Sequence, residues 1–517
     1  MEPKIQAKVS SQNLDDRHNF LNSLLSCAPA DRQTDNLFKF AILLPLSLPS
    51  DADSTLDSLK VFARSLRDSS WRDRNELGAI RFDLSIYLAL DIKDTFLLPS
   101  SSQTESRAEL IFHQHGFFRV FNILGHQQKE LPGSLLNNAA RRAYSDGCDY
   151  YIIANHTTEL LDEGWMRITH AKFREISVHS GGPIGFGCAT FMDHTRPGIP
   201  TFPVVHHTHL DIFKGRVVPN ELDVRDASAF LFQLYRHFGA ATTIPSRTRS
   251  PPCIIPNETD SPLDWTFDTL EAAKSDIRVW AEQNWPNIRS YMSLDIIIPC
   301  YRVSLEVLSK VLALKSSSSC ITTFIIVVDN PQSPYIYELV HSNSHRADVR
   351  ILVNETNHGA SGSRNRGLAT STAEWVAFLD DDVTPLPNYL VVAEHYIRNQ
   401  PNAAGFVGNT HFPAPHNIFT TAIQLSGVTF FWNIADKIAE DVPWGITANL
   451  LVQRNVRDKV KFDLRFPKTS GGEDIDFCIN KRKASLERGG TGFWAAPNMI
   501  IAHPWCNQGH RSYRKFF

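Results

Sequence analysis

Three consecutive carboxylates, Asp380, Asp381 and Asp382, stand directly behind an apolar run in the segment EWVAFLDDDVTP. Carboxylate oxygens suit hard divalent cations, and Mg2+ or Mn2+ sites commonly combine one or two carboxylates with substrate phosphates. An acidic turn behind a strand would read the same way, so the neighbours decide. Three further segments carry residue types that suit a phosphorylated ligand, and a fourth is acidic. Pro299-Cys300-Tyr301-Arg302 ends an apolar run with an aromatic and a cation that could flank a nucleotide, or with an ordinary strand exit. Asp329-Asn330 offers acceptors for a base edge, or a turn-forming pair. In NHGASGSRNRG (357–367), small residues at a helix start admit an anion to the backbone amides, and Arg364 and Arg366 add charge for a diphosphate. Gly471-Gly472-Glu473-Asp474-Ile475-Asp476 places carboxylates in the first turn of an expected helix, where the helix dipole stabilises anions. Near the end, His503 in AHPW is a metal ligand or a satisfied surface histidine.

The elements that must position these groups keep a strand-helix rhythm, which predicts an α/β fold on open parallel sheets. Strands are expected at Leu294–Ile298, Phe324–Val328 and Trp375–Leu379, with helices over Leu305–Leu314 and Ala360–Ala369. The first half repeats the plan, with strands at Phe38–Leu44, Phe82–Leu90 and Tyr150–Ala154 and helices at Leu56–Leu66 and Leu135–Tyr144. The stretch LLNNAARRAYSDGCDYYIIANHTTEL lies over SRNRGLATSTAEWVAFLDDDVTPL, which reads as an internal duplication. At 517 residues the chain exceeds one ordinary core. We expect a leader at 1–35, a first domain at 36–245, a Pro/Ser-rich linker with a Trp-bearing helix at 246–290, and a second domain at 291–517.

Composition narrows the class. A net charge of −3, without a Lys/Arg block, gives no reason to expect a nucleic-acid partner. No apolar run approaches the ~20 residues needed to cross a bilayer, and the first residues lack an apolar signal core. Eight scattered cysteines without a CxxC pair suit reduced thiols in a cytoplasmic protein.

Taken in order, DIIIPCYR, IIVVDN, NHGASGSRNRG, AFLDDDVTP, WGITANL, FPKTSGGEDIDF and AHPW resemble a family 2 inverting glycosyltransferase of the GT-A fold, across about residues 292–510. The resemblance implies two GT-A-like, Rossmann-like domains in tandem, the second catalytic. It implies that Pro299, Tyr301 and Asp329 surround the nucleoside of a nucleotide-sugar, a UDP-sugar by preference, and that Arg364 and Asn365 lie near base and diphosphate. Asp380 and Asp382 match the outer positions of a DxD signature that holds Mn2+ or Mg2+, with Asp382 the direct ligand and Asp381 at the ribose. His503 matches the late histidine that completes the metal sphere. Asp474, beside Glu473, matches the general base, while Trp444, the 445–449 stretch and Gly472 lie on the acceptor side. The acceptor is expected to be a small molecule, a lipid-like molecule or an oligosaccharide. Since the chain ends soon after His503, any C-terminal lid is expected to be short or truncated.

The first half lacks the chemistry. Asn155-His156-Thr157 stands where the second half has its three carboxylates, and no Glu-Asp pair follows a Gly-Gly lead-in. We expect a degenerate, non-catalytic GT-A-like domain there. Its cluster Val205-His206-His207-Thr208-His209-Leu210-Asp211 invites zinc, but along a strand alternate residues diverge, so at most a subset could converge; the residues favour structural histidines or a domain-interface loop over zinc, with an acceptor-binding face between the two. Two rivals remain: a bifunctional polymerase with two active sites, which the missing carboxylates oppose, and a non-catalytic carbohydrate- or nucleotide-sugar-binding protein.

Overall fold

The computed structural model describes residues 36–46, 52–75, 80–90, 106–125, 132–195, 200–251, 267–343, 346, 348–427, 429–454, 458–466 and 471–505. The expected leader at 1–35, most of the expected linker and the last twelve residues lie outside the described residues. Two eight-stranded sheets organise the rest. The first holds β1 (Leu37–Leu46), β2 (Arg81–Leu90), β3 (Val120–Leu124), β4 (Tyr150–Ile153), β5 (Glu159–Leu160), β6 (Cys188–Asp193), β7 (Pro200–His206) and β8 (Ala241–Arg249). The second holds β9 (Met292–Cys300), β10 (Cys320–Val328), β11 (Val349–Val353), β12 (Trp375–Leu379), β13 (Thr384–Pro385), β14 (Ala403–His411), β15 (Asn449–Gln453) and β16 (Thr491–Ala502). The spatial order is β3-β2-β1-β4-β7-β6-β8-β5 in one and β11-β10-β9-β12-β15-β14-β16-β13 in the other. Strand for strand the two orders are the same. The chain is thus two GT-A-like α/β units in tandem.

The expectation of open parallel sheets needs correction. Six strands of each sheet run in one direction, but β7 pairs antiparallel with both β4 and β6, β15 does the same with β12 and β14, and the short β5 and β13 run antiparallel to β8 and β16. Periodicity reports burial and not pairing direction, so FPVVHH and NLLVQ gave no sign of the reversal. The parallel strands behave as runs buried on both faces should. Every residue of β12 is buried, and helices cover both sides of the sheet.

Two boundaries also shift. Ser246–Arg249, expected in the linker, completes β8, and Ser246 is buried. The helix Phe267–Asn284 belongs to the first core: Leu270, Ala273 and Ile277 join its buried cluster. Trp280 stacks on Phe186 at 5.8 Å and Trp285 meets the same ring edge-on at 5.3 Å. The Trp residues are core anchors.

The two units meet through buried charge. Arg236, at the end of the helix Ala227–Arg236, donates to Asp295 Oδ1 at 2.8 Å, to Ile321 O, Thr323 Oγ1 and Thr372 Oγ1, all on the second unit. Asp295 also accepts from Ser371 Oγ and Thr372 N. Burial works to raise its pKa, and Arg236 and Arg350 more than offset that, so the carboxyl is held below its usual value. Lys274 and His237 pair with Glu374 in the same seam. A buried pair with this many partners costs several kcal/mol to break from one side, so the seam fixes the two sheets relative to each other.

Candidate active site

The groups singled out in the second half gather at the carboxyl edge of β9, β10 and β12, the edge where open α/β sheets bind ligands. Loop exits are held there by side chains that the sequence alone assigned to the ligand. Asp381 is buried; its Oδ2 accepts from the backbone amides of Tyr301 and Arg302 at 2.8 Å each, and its Oδ1 pairs with the Arg302 guanidinium. Asp329, also buried, accepts from His358 N and Asn354 Nδ2 on one oxygen and Gly359 N on the other. It therefore anchors the start of the helix Gly359–Thr370 rather than presenting a free edge. Asn365 exchanges two hydrogen bonds of 2.8 Å with the backbone of Phe462. The amide that was expected beside the base is occupied in holding the 458–466 segment. Gly367 lets its helix close on the sheet, since a Cβ there would sit 2.4 Å from Ile297 Cγ2.

Asp382 and His503 meet at this edge. Asp382 Oδ1 lies 3.5 Å from His503 Nε2, at the strand end where β13 pairs with β16. His503 Nδ1 bonds Pro504 O at 2.6 Å, which as donor fixes the tautomer and aims Nε2 at the carboxylate. The histidine is buried, not at the surface: Trp432 meets it edge-on at 4.9 Å and Phe412 tilts over it at 5.5 Å. Burial raises the Asp382 pKa, opposed by His503 and Arg302. Arg302 Nη2 reaches Asp382 Oδ2 at 3.0 Å, so one guanidinium spans two of the three carboxylates. Asp380 turns elsewhere. Its Oδ1 takes Arg364 Nη2 at 2.9 Å, and among the described residues it does not join Asp382 and His503 in a three-donor group within 4.8 Å.

Asp474 opens the helix Glu473–Glu487 behind Gly472, whose φ of +90° is the left-handed conformation that favours glycine. Burial, then the neighbouring Glu473 charge, pushes Asp474 up to about 6. Glu473 is itself buried and paired with Arg364 Nη1 at 3.5 Å. Arg364 thus bridges the Asp380 loop to the Glu473 helix, and its Nε is buried with no hydrogen-bond partner among the described residues. Tyr301 is exposed, and Pro299 lies beside it at the end of β9. Trp444 stacks on Phe431 at 4.2 Å. Sequence reasoning missed Asn354, Phe412, Trp432 and Phe431, since nothing in their local spacing marks them.

Residues 295–435, inside the second unit, match the family model for glycosyl transferase family 2. An uncharacterized glycosyltransferase of Haemophilus influenzae is 35% identical over 109 residues, 21% of this chain and 36% of the relative. The amylovoran biosynthesis glycosyltransferase AmsB of Erwinia amylovora is 23% identical over 202 residues, 38% of this chain and 66% of the relative. The chain therefore spans between about a third and two thirds of these relatives' lengths. Among solved structures, S. aureus TarS 1–349 in complex with UDP-GlcNAc is similar at a TM-score of 0.31 and 14% identity, over 44% of this chain and 60% of that one. GalNAc-T7 with UDP, GalNAc and Mn2+ is similar at a TM-score of 0.33 and 11% identity, over 42% and 44%.

Proposed function

We propose that the protein is an inverting glycosyltransferase that moves a sugar from a nucleotide-sugar to an acceptor hydroxyl, with catalysis confined to the second half. The observation that carries this reading is the presence, in the unit whose residues 295–435 match the family 2 model, of a raised-pKa carboxyl at Asp474 and of the Asp382–His503 pair. The Asp382 carboxylate suits Mn2+ or Mg2+, and the His503 imidazole of fixed tautomer favours Mn2+ of the two. Held by Asp382 and His503, such an ion would neutralise the charge that builds on the departing diphosphate.

The remaining work belongs to the chain. Asp474, poised near neutral pH, accepts the proton of the acceptor hydroxyl as that oxygen attacks the anomeric carbon from the face opposite the leaving group. The bond to the diphosphate breaks on the other face and the centre inverts. Arg364 is held by two carboxylates and keeps one buried N–H without a partner, which supports a role toward the diphosphate or the base beside it. Asp381 and Asp329 act by shaping the loops, and Tyr301 is free to lie against a nucleoside. Trp444 on Phe431 offers an apolar ring face at the acceptor side. Ile418, Leu425 and Phe430, on the segment leading to Phe431, are exposed, which favours an acceptor with an apolar portion. We assign residues 36–251 with the helix Phe267–Asn284 to a non-catalytic unit and residues 291–505 to the catalytic one.

No single helix among the described residues is long and apolar enough to cross a membrane; one bent pair, Ile418–Leu425 with Phe430–Asp436, meets the length and composition test. Assay of a panel of UDP- and other nucleotide-sugars, with and without Mn2+, tests the proposal. Transfer that requires the metal and disappears in Asp474→Asn supports it; transfer untouched by either change overturns it.

A further inference from the structure

The histidine-rich cluster of the first half is not explained by sugar transfer. It lies at the sheet edge opposite the one that corresponds to the carboxylates. The strand expected through Val205–Asp211 ends at His206, and His207–Ile212 is a short helix, so the alternation argument fails at the turn. His209 leaves the group: it is buried between Tyr235 Oη at 2.7 Å and Val217 O at 3.0 Å. His206 and His207 instead converge on Asp149, the residue before β4.

We propose that Asp149, His206 and His207 form a site for a divalent cation of the zinc class. One donor atom from each lies within 4.8 Å of the others, close enough for small side-chain movements to close around an ion. The backbone brings them together regardless of any ion. Tyr150 and His206 are register partners in an antiparallel pair, and His207 N donates to Asp149 O at 2.8 Å. Each ligand is also oriented. Lys39 N holds Asp149 Oδ2 at 2.8 Å. His207 Nδ1 bonds Asp211 Oδ2 at 3.2 Å, and Asp211 Oδ1 in turn accepts from Tyr144 Oη at 2.6 Å. A carboxylate on the far nitrogen of a ligating imidazole is the usual outer support of a zinc histidine. His206 Nδ1 bonds Thr208 Oγ1 at 3.0 Å, and its ring fills the space over Gly185, where a Cβ would lie 2.1 Å from Nδ1. The Asp211 carboxylate makes His207 Nδ1 the donor and leaves its Nε2 for the cation; His206 Nδ1 faces both Thr208 Oγ1 and, at 3.4 Å, Thr208 N, and its Nε2 becomes a ligand when the hydroxyl accepts the Nδ1 proton.

Two imidazoles and one carboxylate select zinc-like ions over Mg2+ or Ca2+, and three protein ligands leave one coordination position open. The second half shows that the fold does not demand these residues. By the same register, Glu374, Gln453 and Arg454 occupy the three positions there, with Arg454 N donating to Glu374 O at 2.8 Å. An arginine cannot ligate, and that edge is taken up by the seam with the first unit, where Glu374 meets Lys274 and Arg454 meets Gln233.

The full chain, stripped with EDTA and titrated with Zn2+ against a chromophoric chelator, tests the site. We expect wild type to bind one more Zn2+ than His207→Gln, a change at a half-exposed side chain. Zn2+ should raise Tm in wild type and not in that variant. Asp211→Asn should weaken the same equivalent by about 10–100-fold. Asp382→Asn should leave that equivalent in place. The inference is overturned if wild type and His207→Gln bind Zn2+ with equal stoichiometry, or if the equivalent is lost with Asp382→Asn instead.

Discussion

Strands β4 and β12 hold the same position in sheets of the same order, and each leads through a short loop into a two-residue strand at the far edge. The two loops differ in chemistry. After β12 come Asp380, Asp381 and Asp382, braced by Arg302 and Arg364 and, at Asp382, by His503. After β4 come Asn155, His156 and Thr157, where Asn155 Oδ1 folds back to accept from Thr157 N at 3.0 Å and Thr157 Oγ1 at 3.1 Å. One loop concentrates negative charge that arginines and a histidine meet; the other turns Asn155 and Thr157 on each other and, among the described residues, leaves His156 Nδ1 buried without a hydrogen-bond partner. The opposite edges are also unlike, because the second unit's is consumed in the seam while the first unit's carries Asp149, His206 and His207. On the two proposals above, each copy of the duplicated fold carries ligand chemistry at one edge, and not at the same edge.

Substitutions can break this contrast. The largest expected effect is at the proposed base: Asp474→Asn should lower kcat for transfer by about 10²–10⁴-fold. The same variant should be more stable at pH 7. A carboxyl whose folded pKa is raised to about 6 from 3.8 favours the folded state below pH 4 and loses that contribution as pH rises through 6. Removing the charge should therefore add about 1–3 kcal/mol in urea unfolding at pH 7 and nothing at pH 4. Loss of transfer with loss of stability would mean a merely structural carboxyl.

Next, Asp382→Asn should bring activity down to the level of EDTA-treated wild type, whereas Thr157→Ala, at the equivalent position, should leave it within twofold by the ordinary scale of surface changes. Arg236→Met should lower unfolding free energy by about 3–5 kcal/mol, since Asp295 is left buried and unpaired. The pair Arg236→Met with Asp295→Leu should recover part of that loss, measured by denaturant titration. The rate of transfer should rise with pH through about 6 as Asp474 loses its proton, a limb that Asp474→Asn abolishes. The smallest effect is at the acceptor side: Trp444→Ala should raise the acceptor KM by up to about tenfold, the scale of one lost ring contact.

The elements that can be read from the chain are those whose burial is local. Trp375–Leu379 is legible to the residue because an apolar run buried on both faces needs no partner to be recognised. The duplication is legible for the same reason. Chain direction in β7 and β15 is not, because pairing is decided by strands distant in sequence. Within the site, residue types point to the right loops but not to the right duties. Asp329, Asp381 and Asn365 are polar groups at a ligand edge, yet their hydrogen bonds go to backbone 30, 80 and 97 residues away. Arg236 ends an amphipathic helix like many surface arginines; only Asp295, on the other unit, makes it a buried one.

The central claim is that one half alone handles the nucleotide. Calorimetric titration of the full chain with UDP at saturating Mn2+ measures it most directly. The predicted result is one UDP bound per chain, and none after Asp380→Asn with Asp382→Asn; two UDP per chain, or binding that survives the double change, would contradict it.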